Sequence, residues 1–398
     1  MEESQQTFHL EHRKHNDLRR EQRARRLRLF LIIIIGAAAA FFCIISYYQY
    51  SNGIYKNYTI LKEYEKADSS LVKYLSYQNK ILKYSKDGAS VLDSDGKAVW
   101  NGSYDMKNPK VSICGNYIAI ADIGGKELYV FNGKDSGTEI EVLNNIVEFD
   151  VGMQGIVAIA MENGDSNLIG IYDPYQQGDI LRVEIPTTVN NDGFPIDLAL
   201  SNDGQKLVTG FLHADSILEN KVTFYNFDEV GQNDINRQTG MVNLEETLIS
   251  NVLFLDNDHV CVYMENGFLL YSMKQKQEEI ANIVFEKTIK SVMTSNQYIG
   301  VILEEYSGAD KYHLLIYNLN GKKILEQDFD FDYDNVQLTD TDIIFSSELS
   351  CHIIRLNGKK KFEMTFDQPV SAILPCDGNR KYYFIRDHSV QEIQLKHE

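Results

Sequence analysis

VSICGNYIAIADIGGKELYVFN, residues 111–132, holds three short runs rich in Val, Ile, Tyr and Phe, separated by Gly-Asn and Gly-Gly turns. Runs of this length and composition, bounded by Gly, Asn and Asp, are the signature of strands joined by tight hairpins. The order of parts is an apolar strand, a turn, a second strongly apolar strand, and an amphipathic strand ending in another turn. That order recurs in IVEFDVGMQGIVAIAMENGDSNLIGIYD (146–173), in PIDLALSNDGQKLVTGF followed by KVTFYNFD (195–228), and in SNVLFLDNDHVCVYMENGFLLYSM (250–273). It continues in IKSVMTSNQYIGVILEEYSGADKYHLLIYNLNGKKI (289–324), DNVQLTDTDIIFSSELSCHIIRLNGKKK (334–361) and PVSAILPCDGNRKYYFIRDHSVQEIQL (369–395). LVKYLSYQNKILKYSKDGASVLDSDGKAVW (71–100) stands at the head of the series.

The units start near residues 71, 111, 146, 195, 249, 289, 333 and 369, roughly 35–54 residues apart. Four-stranded propeller blades have such periods, and a single blade buries its faces only when neighbours stack on it. The expected fold is therefore an all-β propeller of eight blades, with seven as the alternative count. The last unit has room for only three strands, and a strand from the preceding linker, Tyr58 to Tyr64, is placed to complete it and close the ring.

Upstream of the repeats, Leu29 to Tyr48 reads LFLIIIIGAAAAFFCIISYY and carries no charge. About 20 apolar residues suffice for a helix to cross the roughly 30 Å hydrocarbon core of a bilayer, so residues 29–48 are expected to form one N-terminal transmembrane helix. An A-x-A pattern at Ala38 and Ala40 offers the rival reading of a cleaved signal, but the apolar run continues well past it. The domain plan is a basic tail over 1–28, the span over 29–48, a linker over 49–70 and the propeller over 71–398.

Charge divides along the same boundaries. Eight arginines and lysines against five acids leave residues 1–28 at +3, so the −18 of the whole chain places −21 on the remainder. Arg19, Arg20, Arg23, Arg25, Arg26 and Arg28 crowd the start of the span, whereas its far flank has only Lys56. By the positive-inside rule the tail is cytoplasmic and the propeller extracytoplasmic, at the cell membrane. These arginines are also expected to attract anionic lipid headgroups. The acidic body argues against nucleic acid, and against anionic lipid, as the propeller's own ligand.

VLDSDGKAVW (91–100) resembles the quinoprotein-type repeat, in which a strand, an Asp, a Gly turn and a Trp follow one another. LIYNLNGKKIL (315–325) and IIRLNGKKKF (353–362) keep the Gly turn without the Trp, and Trp100 is the only tryptophan in the chain. The order of basic tail, single span and acidic propeller is similar to that of a domain-of-unknown-function family of bacterial, mostly Gram-positive, membrane-anchored propellers. That resemblance implies a fold and a location, and it brings no catalytic residues.

Few residues invite a chemical reading. In DFDFDYD, Asp328, Asp330, Asp332 and Asp334 alternate with Phe329, Phe331 and Tyr333, so a strand would put all four carboxylates on one face. They form a Ca²⁺ candidate, since calcium takes closely spaced oxygen ligands. A solvated edge that discourages strand pairing is the alternative. DSDGK (93–97) mimics the start of a calcium loop but reads first as a hairpin turn.

Histidines 9, 12 and 15 share one helical face of the tail, where solvation explains them. His213, His259, His313, His352 and His388 sit in different units and would form a composite site only if inner strands brought them together. Asn57 and Asn101 fit the glycosylation pattern, which matters only in a eukaryotic secretory pathway. Cys114, Cys261, Cys351 and Cys376 are widely spaced, which excludes a zinc ribbon or thioredoxin motif; they read as buried thiols, or Cys351 and Cys376 pair. Two connections, PTTVNNDGFP (186–195) and DEVGQNDINRQTGMVNLEE (228–246), are expected to be long loops, either tolerated insertions or surfaces for recognition. The leading expectation is an interaction module for another envelope protein or a cell-wall component. The rival is a cofactor-dependent or carbohydrate-active enzyme with its site in the central channel.

Overall fold

His259–Met264 and Gly267–Ser272 run side by side, Val260 opposite Tyr271 and Val262 opposite Leu269, and almost every side chain in both is buried. Strands covered on both faces read as continuous apolar runs. An outer strand such as Glu278–Val284 meets solvent and alternates instead. The same gradient is repeated in eight four-stranded antiparallel sheets. They span residues 73–103, 109–141, 145–188, 194–245, 249–284, 289–329, 335–365 and 372–396, here blades 1 to 8. The protein is thus an eight-bladed all-β propeller, as the repeats predict. The structure, a computed structural model, describes residues 30, 33–43, 45 and 53–397, except 70, 135, 136, 215–217, 306–309, 377 and 379.

Blade 8 takes its fourth, outermost strand from the other end of the chain. Asn57–Glu65 pairs antiparallel with Ser389–Lys396, Tyr58 opposite Leu395 and Tyr64 opposite Val390. Just before it, Tyr55 is buried against blade 7. Its N–H donates to the Lys361 carbonyl at 2.8 Å, and its ring stacks on His397 at 4.3 Å.

The core lies between blades rather than within them. Val208, Val222 and Phe224 of blade 4 pack on Val252, Val260 and Val262 of blade 5. Trp100, on the outer strand of blade 1, stacks at 4.4 Å on Phe131 of blade 2. A Cβ on Gly102 would come within 2.5 Å of the same Phe131 ring, so the small residue lets the two blades close.

Each blade is an up-and-down meander. The turns after its first and third strands therefore lie on one face of the ring, here the turn face. The turn after the second strand and the crossover to the next blade lie on the other, the crossover face. The chain joins the propeller on the turn face, where Lys56 N–H donates to the Lys396 carbonyl at 3.0 Å.

Several expectations change. Within DEVGQNDINRQTGMVNLEE, Gln238–Glu245 is the outer strand of blade 4, and only residues 227–237 form the connection. Its polar alternation hid a strand with one face in water. Thr187 and Thr188 close the outer strand of blade 3, followed by a single helical turn, Val189–Asp192, capped by the Thr188 hydroxyl. The strand expected through DFDFDYD ends at Phe329, because the chain must cross to the inner strand of blade 7 at Asn335. All five cysteines are free thiols; Cys114, Cys261 and Cys351 are buried and Cys376 is half-buried, so Cys351 and Cys376 do not pair.

Residues 55–398 form one compact unit and residues 1–54 another. In the latter, residues 33–43 are helical with exposed side chains. Among the described residues no helix is long and apolar enough to cross a membrane. The tail arginines and the ends of the 29–48 stretch lie outside the described residues.

Candidate functional site at the channel and its mouth

The inner strands of blades 3 to 6 share an irregularity. Register slips between Ile146 and Glu148, Pro195 and Asp197, Ile249 and Asn251, and Ile289 and Ser291. A bulge re-aims the side chain that follows it. Here that residue is polar each time, and all four reach a neighbouring blade or the crossover leading into it. Asp197 Oδ2 accepts from Asn251 Nδ2 and from the Val252 N–H, both at 2.7 Å. Glu148 pairs with Lys110 of blade 2. Ser291 meets the Tyr333 hydroxyl at 2.9 Å.

Two residues past its bulge, Asp150 ties three blades together. It accepts from Ser112 Oγ at 2.5 Å and from the Leu200 N–H at 2.9 Å. Burial raises the Asp150 carboxyl against the pull of these donors. Burial likewise pushes Asp197 up to about 7, with the charge of Glu148 adding and the Val252 N–H opposing. Raised carboxyls in a channel invite a catalytic reading. Their oxygens, however, are occupied by the next blade, so these bonds first of all hold the ring.

At the crossover-face mouth, between the inner strands of blades 7, 8 and 1, a cavity of about 720 Å³ is lined by Lys66, Lys73, Tyr74, Asn335, Asp387 and His388, among others. Asp68, Val72 and Tyr84 also border a second cavity of about 370 Å³ beside blade 1. Asp68 is committed, taking the Tyr74 hydroxyl at 2.7 Å and Lys83 Nζ at 3.0 Å. Lys66 lies 4.8 Å above the Tyr74 ring, and burial lowers its pKa despite Asp68 and Asp387. Lys73 lies 5.9 Å over the Tyr84 ring, while Asp387 and His388 line the cavity with no side-chain hydrogen bond among the described residues. This mouth brings residues 66–75 against 371–388, the two ends of the repeat series, which is why no local motif announced it.

The calcium candidates do not converge. Asp328 pairs with His313, Asp332 with Lys311 Nζ at 2.6 Å, and Asp334 enters the next blade through its own N–H to the Ser346 carbonyl at 2.9 Å. All four carboxylates are exposed while Phe329, Phe331 and Tyr333 pack inward, so the alternation survives the end of the strand. Phe331 stacks on His352 at 3.9 Å, and burial lowers the His352 pKa. Among the described residues no group of three or more His, Cys, Asp or Glu is arranged to hold a metal ion. In DSDGK, Asp93 Oδ1 accepts from the N–H groups of Asp95 and Lys97 at 2.9 Å, a turn. None of the six body histidines, His397 included, is on an inner strand. The legible signal for the channel acids was their place in otherwise apolar runs, IVEFDV and PIDLAL.

Fold and channel together define an eight-bladed propeller whose inner strands are clasped by carboxylates. The chain belongs to a family of unknown function (DUF5711), whose sequence profile matches residues 50–395. No curated protein matches it. Among solved structures, a eukaryotic initiation factor is similar over 83% of this chain and 87% of its own, at 11% identity and a TM-score of 0.54. BamB from Moraxella catarrhalis is similar over 85% of this chain and 100% of its own, at 14% identity and a TM-score of 0.49. The Neurospora crassa Pan2 WD40 domain is similar over 85% and 95%, at 10% identity and a TM-score of 0.44. At 11% identity the likeness to the initiation factor speaks for the fold alone.

Proposed function

We propose that this protein is a membrane-anchored interaction module, held by residues 29–48 with its tail in the cytoplasm. Its extracytoplasmic propeller offers the crossover-face mouth to another envelope protein or a cell-wall component. The observation that carries the reading is the contrast between the two parts of the channel. The wall acids Asp150 and Asp197 are spent on backbone amides of the next blade, whereas the mouth keeps an open cavity in which Asp387 and His388 are uncommitted and Lys73 meets only the Tyr84 ring. A rigid scaffold presenting a polar and aromatic concavity suits recognition.

Cross-linking in intact cells, followed by capture of the detergent-solubilised protein, tests the proposal. Lys73→Glu combined with His388→Ala should lose the partner captured by the unaltered chain. Removing 228–234, the tip of the blade 4 connection, should leave it captured. Unchanged capture with the mouth altered would sink the proposal. The location is tested separately by adding protease to wall-stripped cells, where an untouched propeller would overturn the orientation.

The enzymatic alternative rests on one feature, the raised Asp197 carboxyl beside Glu148. A substrate-turnover signal abolished by Glu148→Gln, with partner capture intact, would favour it.

A further inference from the structure

The acidic net charge of the propeller conceals a local exception on the turn face. The turns between the third and outer strands of blades 1, 3 and 4 are rich in acids, reading DSDGK (93–97), DPYQQGDI (173–180) and FDEVGQNDINR (227–237), and that of blade 2, NGKDSG (132–137), balances one lysine against one acid. The equivalent turns of blades 5, 6 and 7 read MKQKQ (273–277), LNGK (319–322) and LNGK (356–359), and in blade 8 the place is taken by GIYK (53–56) beside Lys396. These four turns hold five lysines and no acid.

Their lysines are also largely unspent. Lys276 is drawn to Asp234 at 3.2 Å. Lys56, Lys274, Lys322, Lys359 and Lys396 are exposed, and none meets a carboxylate among the described residues. The arc ends at blade 8, the place where the chain joins the ring. Tyr55 bridges in parallel to Phe362 and donates to the Lys361 carbonyl, which brings Lys56 and Lys396 next to the strand that follows Lys359.

Chain length supplies the occupant. The apolar stretch ends at Tyr48, seven residues before Tyr55, and seven extended residues reach at most about 25 Å. A propeller tied that closely to a bilayer carries its joining edge near the headgroups. Exposed lysines there are attracted to anionic lipid within a Debye length of about 8 Å at physiological salt. We propose that the lysine arc of blades 5 to 8 rests on an anionic lipid surface, tilting the ring so that the acidic turns of blades 3 and 4 and the crossover face point away. The proposal rests on the membrane anchor proposed above.

The test is amine acetylation of the full-length chain in lipid nanodiscs, read residue by residue by mass spectrometry. In discs containing phosphatidylglycerol, Lys274, Lys322 and Lys359 should be labelled several-fold less than in neutral phosphatidylcholine discs. Lys97 and Lys134, on the turn face of blades 1 and 2, should not change, and high salt should erase the difference. Equal labelling in both discs would overturn the proposal. So would protection in neutral discs alone, which is steric shadowing, or equal protection by soluble polyphosphate, which assigns the arc to a polymer. Loss of the chain from neutral discs would count against the anchor; the arc is then judged by the same labelling with phosphatidylglycerol vesicles added.

Discussion

Asp197 is the side chain whose environment has the clearest functional cost. Its folded pKa is raised, so its proton favours the folded state: this contribution is full below the ordinary carboxylate range and is lost as pH rises through about 7. Asp197→Asn keeps an oxygen for the Asn251 and Val252 donors and cannot ionise. The variant should match the unaltered protein near pH 3 and exceed it by a few kcal/mol near pH 8, seen as a gap in Tm that grows between them. A gap independent of pH would mean that the carboxylate is not penalised. Lys361 presents the opposite case. It is buried with Asp342 at 2.5 Å, and it also meets the Tyr382 hydroxyl at 3.0 Å. Removing one partner strands a buried charge, so Asp342→Ala should cost on the order of 3–5 kcal/mol, and exchanging both for apolar residues much less. In the sequence, Lys359, Lys360 and Lys361 are one undivided run. Only the register shift between Ile353 and Ile354, which leaves Lys361 as the extra residue opposite them, turns the third lysine inward, and register is not written in residue type.

At the scale of the element, strands were legible in proportion to their burial. The paired runs His259–Met264 and Gly267–Ser272 are apolar throughout and announce themselves, as do their counterparts in the other blades. Gln238–Glu245 was lost in a polar stretch because an outer strand alternates around only a thin apolar face. The inner-strand bulges were equally hidden, since IVEFDV reads as ordinary alternation until its pairing is known. The crossover 330–334 shows what alternation does convey: rings inward, carboxylates outward, without a strand. With Asp328 on His313 and Asp332 on Lys311, that segment should show no rise in Tm on adding Ca²⁺. A calcium-dependent rise lost in Asp330→Asn would mean that the carboxylates can be gathered after all.

For the whole molecule, the eight repeats and the closing strand were readable, because both follow from counting strands. The mouth cavity was not, because it exists only once the ends of the series meet. A closed ring has no terminal blade, so each blade is supported on both sides, unlike an open array of repeats. Unfolding of the intact chain should therefore be a single transition. A chain ending at residue 388 lacks Ser389–Lys396, which leaves Asn57–Glu65 and Lys381–Ile385 without the strand between them. It should melt at lower temperature and in more than one step by calorimetry; a single unshifted transition would show that closure adds nothing.

That pairing also sets an order in time. Asn57–Glu65 is among the first parts of the propeller to leave the ribosome, and its partner Ser389–Lys396 is the last. The early strand must wait, edge bare, through the synthesis of the seven blades between them. A chain aborted anywhere before residue 389 keeps that edge exposed, so completeness of translation is reported at the propeller's own first strand.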